Sequence, residues 1–157
     1  MPRPFIPHAG DFVVASSSRD MSLFVDTSIW YAAADSSDRS NARSKAILKS
    51  GETLVTSDHV LVETWMLLHH KLDRKAAEGF WEGLRSGIAL IEAVTLADLE
   101  VAWDIGVSWR DQDFSIVDRT SFAVMRRLGI DRVASLDAHF AVFRFGPKRR
   151  QSFHVLR

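Results

Sequence analysis

Cysteine is absent from the 157 residues. That excludes a disulfide framework and a thiolate metal centre, and it favours an intracellular, cytoplasmic protein. Long hydrophobic runs are missing too: no apolar stretch approaches the roughly 20 residues that a membrane span needs, so no membrane association is expected. Neither sign of charge is in excess, with 20 basic and 20 acidic residues. That balance hides an asymmetry. Arg144 to Arg157 holds five basic residues and no acid, leaving a net −5 on residues 1–143. An acidic body with a basic tail suits a metal pocket beside a phosphate-binding edge.

What is present fits one ordinary globular domain, 46% hydrophobic and 25% charged, long enough to bury a sizeable core. Residues 1–20 stand apart. Pro2, Pro4 and Pro7 break any helix, and Ser16 to Ser18 form a linker-like run. Apolar pieces interrupted by Pro7, His8 and Asp11 do not make a signal-peptide core. Residues 1–20 are therefore expected to be a flexible extension, with the domain spanning 21–157 from Met21 onward.

The domain opens on MSLFVDTSIWY, an apolar strand ending in Asp26 and followed by the hydroxyls Thr27 and Ser28. A helix is expected over Ile29–Ala34, a second over Arg39–Lys49, and a strand over Thr53–Thr56. Ser57 reads as N-cap of a helix through Lys71, with Val60, Leu61, Thr64, Leu67, Leu68 and Leu72 on its apolar side. Asp73 caps the next, which buries Ala76, Phe80, Trp81 and Leu84. A strand over Ile88–Val94 precedes Thr95-x-x-Asp98, a capping-box pattern for a helix towards Trp109. Ser115-x-x-Asp118 opens another helix, stopped by Gly129. Arg132–Leu136 reads as a strand ending in Asp137, followed by a short helix over His139–Val142 and a strand over Phe153–Leu156. This alternation predicts an α/β fold: three α/β/α layers around a mostly parallel sheet of four or five strands.

Four acids stand where such a sheet does chemistry. Asp26 and Asp137 each follow a strand, and strand ends of a parallel sheet open onto one edge. Asp118 lies in the first turn of a helix, which faces the same edge. Glu63 lies on the helix after the second strand. Each has an ordinary alternative, N-capping for the aspartates and solvation for Glu63. Crowded carboxylates repel and destabilise a fold unless a cation joins them. Oxygen ligands without cysteine or paired histidines point to Mg²⁺, or Mn²⁺, rather than zinc. Asp113 is a supporting candidate in a loop or outer-shell role. His59, His69, His70, His139 and His154 show no ligand spacing, and His139 is expected to pack or face solvent.

FVDTSIWY, the Glu63 helix, DFSIVDRTSFAVMRRLGI and RVASLDAHF, in that order, resemble the PIN domain, and within it the VapC-type toxin ribonucleases of bacterial toxin–antitoxin pairs. The resemblance runs from about Met21 to the C-terminus. It implies a metal-dependent endoribonuclease whose acidic quartet falls on Asp26, Glu63, Asp118 and Asp137. Asp26, Asp118 and Asp137 would hold Mg²⁺, Glu63 would orient the attacking water or help with a second ion, and Thr27 or Ser28 would support them. It also implies a homodimer and a VapB-type antitoxin, which often places a basic side chain in the acidic pocket. Trp65, Phe80, Trp81 and Leu84 are candidate contact residues, with core packing favoured for each. Lys148, Arg149 and Arg150 would track an RNA backbone, ribosomal or transfer RNA, with Phe145 or Phe153 available for stacking.

Other readings fare worse. A haloacid-dehalogenase-type phosphatase needs a second acid where Ser28 stands, and a receiver domain needs a late strand-end lysine that does not occur. DNA cleavage is compatible with the same metal chemistry. The main alternative is a non-catalytic PIN-like module that binds RNA or protein.

Overall fold

The computed structural model describes residues 22–157; the expected extension over residues 1–20, and Met21, lie outside the described residues. Five strands, β1 (Ser22–Val25), β2 (Thr53–Ser57), β3 (Leu90–Glu92), β4 (Arg132–Ala134) and β5 (His154–Leu156), form one sheet. Its order is β3-β2-β1-β4-β5, and every pairing is parallel. Helices α1 (Thr27–Ala34), α2 (Asn41–Leu48), α3 (Asp58–Lys71), α4 (Arg74–Arg85), α5 (Leu96–Ser108), α6 (Ile116–Leu128) and α7 (His139–Val142) connect them. The α/β expectation is met, with five strands.

Parallel strands need covering on both faces, so the central strand must be continuously apolar. Leu23, Phe24 and Val25 of β1 are all fully buried. Burying each such side chain contributes about 1.5–3 kcal/mol. On the β4–β5 side an aromatic cluster fills the core. Phe122 of α6 stacks on Phe143 at 4.3 Å and meets Phe140 edge-on at 5.0 Å.

The helix starts follow local chemistry. Ser57 accepts from Val60 N–H and Asp73 from Ala76 N–H. Both expected capping boxes form, at Thr95 with Asp98 and at Ser115 with Asp118. Gly129 takes the left-handed conformation, φ 69°, that ends α6.

Several boundaries differ from expectation. The strand expected over Ile88–Val94 contracts to Leu90–Glu92, because it pairs on one side only and leaves Ile88, Leu90 and Ile91 exposed. The second helix starts at Asn41 rather than Arg39, after a turn in which Asp38 accepts from Ser40 N–H. Leu72 and Trp81 are exposed rather than interior, and α4 buries Ala77 with Leu84. The strand expected over Arg132–Leu136 closes at Ala134. Beyond it Ser135 and Asp137 turn the chain through side-chain bonds to backbone N–H groups.

The strand order reverses beside β1. β2 and β3 succeed one another on one side, then the chain returns to place β4 on the other. In such sheets the crevice beyond the carboxyl ends of the two strands at the reversal is where ligands bind. Asp26 follows β1, and Ser135 to Asp137 follow β4.

Candidate metal centre

Asp26 is the innermost acid, 5% exposed. Its N–H continues the ladder to the Ala134 carbonyl at 3.0 Å, placing it opposite Ser135. The hydroxyls of Ser28 and Ser135 each donate to its Oδ2 at 2.9 Å. Those hydroxyls in turn accept backbone N–H groups: Leu136 on Ser28 at 2.9 Å and Asp137 on Ser135 at 3.0 Å. The ends of β1 and β4 are thus tied through one carboxylate. The capping alternative is also realised, since Asp26 is N-cap of α1. Burial pushes its pKa up to about 6. The Ser28 and Ser135 hydrogen bonds oppose that rise, and the charge of Asp118 adds to it.

Asp118, 7% exposed, sits in the first turn of α6. Its Oδ2 accepts from Ser115 N–H at 3.0 Å and lies 2.7 Å from His139 Nδ1. Asp137 accepts from His139 N–H at 2.8 Å, and its Oδ1 lies 3.3 Å from His139 Nδ1. Glu63 enters from α3. The Thr64 hydroxyl donates to Thr27 at 3.3 Å, and Thr27 is hydrogen-bonded to the Glu63 carboxylate. Burial raises the Glu63 pKa, the Thr27 hydrogen bond opposes this, and the charges of Asp118 and Asp137 raise it further.

At the strand-order reversal Asp118 and Asp137 cluster with His139, and Asp26 and Glu63 lie near enough to feel their charge. Thr27 and Ser28 divide their work, Thr27 on Glu63 and Ser28 on Asp26. Asp113 is exposed and reaches the group through its charge on His139. The sequence reading of His139 is corrected. It neither packs away from the group nor points into solvent, because α7 begins two residues after Asp137 and turns its ring onto Asp118. The ring is braced edge-on by Phe114 at 5.3 Å. Burial alone would lower its pKa, but the hydrogen bond to Asp118 and the charges of Asp118, Asp137 and Asp113 outweigh that and raise it.

Ser135 escaped the sequence reading as well. Its signal was register: once Asp26 and the VASLD segment are placed on adjacent parallel strand ends, the serine falls beside the aspartate.

The donor set fits a divalent cation. The charge of Asp118 raises the pKa of Asp26, and the charges of Asp118 and Asp137 raise that of Glu63, a conflict that a bound cation relieves. Ligand atoms of Asp118, Asp137 and His139 all lie within 4.8 Å of one another and can hold a metal ion.

The basic tail behaves less uniformly than expected. Lys148, Arg149 and Arg150 are all exposed on the turn around Pro147–Arg149. Arg149 also lays its guanidinium over Trp109, 4.5 Å from the ring centroid, and donates to the Ser108 carbonyl at 3.3 Å. Phe153 is buried, and Phe145 packs on it at 4.8 Å with the Arg126 guanidinium over the Phe145 ring, 5.1 Å from its centroid. Neither ring is free to stack on a base. Among the candidate contact residues, Leu84 is buried, Phe80 packs on Trp30 at 5.6 Å, Trp65 stacks on His69 at 5.1 Å, and Trp81 is exposed.

Residues 23–146 match the PIN domain. The 23S rRNA-specific endonuclease VapC20 of Mycobacterium tuberculosis, from two strains, is 39% identical over 125 residues, 78% of this chain and 95% of that protein. The crystal structure of M. tuberculosis VapC20, described as a Sarcin-Ricin loop cleaving toxin, superposes with a TM-score of 0.72 at 36% identity. It covers 76% of this chain and 92% of the other. No helix among the described residues is long and apolar enough to cross a membrane.

Proposed function

The chain belongs to the PIN domain family, and on that premise we propose that it is a VapC-type toxin: a divalent-metal-dependent endoribonuclease that acts in the cytoplasm, with ribosomal RNA as its substrate class. The observation that carries this reading is the convergence of Asp26, Glu63, Asp118 and Asp137 beyond β1 and β4. The likeness to an rRNA endonuclease over most of both chains supports the substrate class.

Asp26, Asp118 and Asp137 would hold the ion, Mg²⁺ or Mn²⁺. When bound, it neutralises the carboxylates, activates water and stabilises charge on the transferring phosphate. The residues supply position. Ser28 and Ser135 fix Asp26, and the Ser115 N–H fixes Asp118. Glu63, held by Thr27, accepts a hydrogen bond from the attacking water and orients it. The new bond forms between water oxygen and phosphorus while the P–O3′ bond breaks, leaving a 5′-phosphate and a 3′-hydroxyl. Lys148, Arg149 and Arg150, the Arg149 guanidinium lying over Trp109, attract the RNA backbone.

A homodimer and a VapB-type antitoxin are the partners this function implies. A groove of about 730 Å³ lined by His59, Val62, Glu63, Met66, Leu67 and Val117 supports a protein contact beside the site. The test is Mg²⁺-dependent cleavage of total RNA by purified protein, beside Asp26→Asn and Asp118→Asn. Cleavage is expected from the wild type alone. Equal cleavage by both variants would sink the metal-site reading, and no cleavage of any RNA class would favour a non-catalytic binding module.

A further inference from the structure

The acids of the site have an uneven environment. Asp26 is held by the Ser28 and Ser135 hydroxyls, and Glu63 is hydrogen-bonded by Thr27. Asp118 and Asp137 alone face a ring nitrogen. His139 Nδ1 lies 2.7 Å from Asp118 Oδ2 and 3.3 Å from Asp137 Oδ1. These three residues form a group of ligand atoms close enough for one ion.

Neighbouring groups hold each of the three in place. The Asp118 carboxylate is held by the Ser115 N–H at 3.0 Å, and Asp137 by the His139 N–H at 2.8 Å. The His139 ring is half-buried and braced edge-on by Phe114. Ligands oriented in this way by neighbouring groups are a mark of metal centres.

We infer that His139 Nδ1 exchanges its hydrogen bond to Asp118 for a metal ion and becomes a ligand beside Asp118 and Asp137, which makes this a mixed nitrogen–oxygen centre selective for Mn²⁺ over Mg²⁺. Imidazole nitrogen is a donor that first-row transition metals accept readily, whereas Mg²⁺ prefers oxygen and keeps its waters. Replacing one oxygen donor by nitrogen therefore separates two ions that an all-carboxylate site treats more alike. The inference rests on the carboxylates holding a divalent cation.

The experiment uses the full chain and Mn²⁺ alone, without RNA. Electron spin-echo envelope modulation of the bound Mn²⁺ detects a directly coordinated ¹⁴N, and free-Mn²⁺ signals give the affinity. The wild type is expected to show ¹⁴N modulation. His139→Gln, which keeps a polar side chain, is expected to lose the modulation and to bind Mn²⁺ about tenfold more weakly, with Mg²⁺ competition changed by less than about threefold. His59→Gln, at a histidine bonded to Thr120 instead, should retain the modulation. Mn²⁺ bound without ¹⁴N modulation in the wild type overturns the inference while leaving the carboxylate site intact, and needs no variant to fold. Modulation that survives in His139→Gln, or tighter Mn²⁺ binding there, also overturns it, the latter because His139 would then be competing with the ion. No Mn²⁺ binding at all removes both this inference and the metal-dependent function.

Discussion

Two buried aspartates begin from the same local chemistry and end in opposite roles. Asp98 and Asp118 are each the fourth residue of a capping box, opposite Thr95 and Ser115. The box distances are nearly the same: 3.1 and 2.9 Å at Asp98, 3.0 and 3.0 Å at Asp118. Exposure is 3% and 7%. What differs is the partner on the remaining oxygen surface. Arg127 grips Asp98 with Nε at 3.0 Å and Nη2 at 2.9 Å, and reaches Glu92 at 2.8 Å. Asp118 has His139 and three more acids. A single helix sets up the contrast, since α6 carries Asp118 in its first turn and Arg127 in its last. A capping motif therefore does not decide whether its acid is structural. The presence of a permanent cation does.

The sharpest way to break that comparison is to neutralise each acid in turn. Asp118→Asn keeps an oxygen for the cap, so stability should change by less than about 1 kcal/mol, while RNA cleavage should fall on the order of 10³-fold. Asp98→Asn leaves Arg127 without its carboxylate. It should cost about 2 kcal/mol of stability with cleavage within about threefold of wild type. Urea unfolding and RNA cleavage on both variants check this. A stable, inactive Asp98→Asn, or an unfolded Asp118→Asn, would reverse the roles assigned here.

The pH dependence of stability sharpens the same contrast, with Asp26 standing for the acids without a cation. Its pKa in the folded chain is pushed up to about 6 by burial, above the unfolded value. Its contribution is thus fully present below the unfolded pKa and is lost as pH rises through about 6. In chelator, the folded state should lose on the order of 2–3 kcal/mol from this group between about pH 4 and pH 7. Asp26→Asn should flatten that limb and leave the protein more stable at pH 7, though inactive. Asp98 runs the other way. Burial would raise its pKa, but the Arg127 and Thr95 hydrogen bonds hold it below the ordinary carboxylate range. Its contribution is present above the unfolded value and is lost as pH falls through the depressed folded one, so Asp98→Asn should soften the acid limb alone. Unfolding midpoints across pH for the two variants separate these effects; a neutral limb unchanged in Asp26→Asn would refute the assignment.

Legibility in the sequence follows the range of the interactions. The β1 strand was readable from its contiguous apolar run, and the Ser57 and Asp73 caps and both capping boxes because each joins residues three apart. Asp26, Asp118 and Asp137 were readable because strand ends and a helix start in a parallel fold share one edge. Glu63 was the hardest of the four acids to place, since a mid-helix glutamate carries no local signature. What brings it in is Thr27, on a different helix. His139 was misjudged because its partner Asp118 is 21 residues away, a separation that no ligand-spacing rule covers. The β3 and β4 boundaries failed for a related reason. Strand length is set by the neighbour and by the turn after it, and Ser135 and Asp137 end β4 with side-chain bonds that hydrophobicity does not display.

The basic turn offers the smallest effects and a second pairing of like residues with unlike roles. Lys148, Arg149 and Arg150 are all exposed, but the Arg149 guanidinium is also engaged by Trp109 and Ser108. Lys148 and Arg149 also take positive φ, 57° and 51°, a conformation that costs a residue bearing a Cβ roughly 1–2 kcal/mol. If Lys148 and Arg150 meet phosphate, replacing both by alanine should reduce the salt slope of RNA binding by about 2 contacts' worth, with little change in stability. Arg149→Ala should instead lose about 0.5–1 kcal/mol of stability through the Trp109 contact, and alter the slope by less than either neighbour. Lys148→Gly separates the two contributions at one position: it should stabilise the fold by up to about 1 kcal/mol by relieving the backbone while still weakening RNA binding. Binding measured across a salt series, beside thermal unfolding of the same proteins, reads both. If Arg149→Ala shifts the salt slope most and leaves unfolding unchanged, its guanidinium leaves Trp109 for the RNA, and the division of labour within the tail is the reverse of the one drawn.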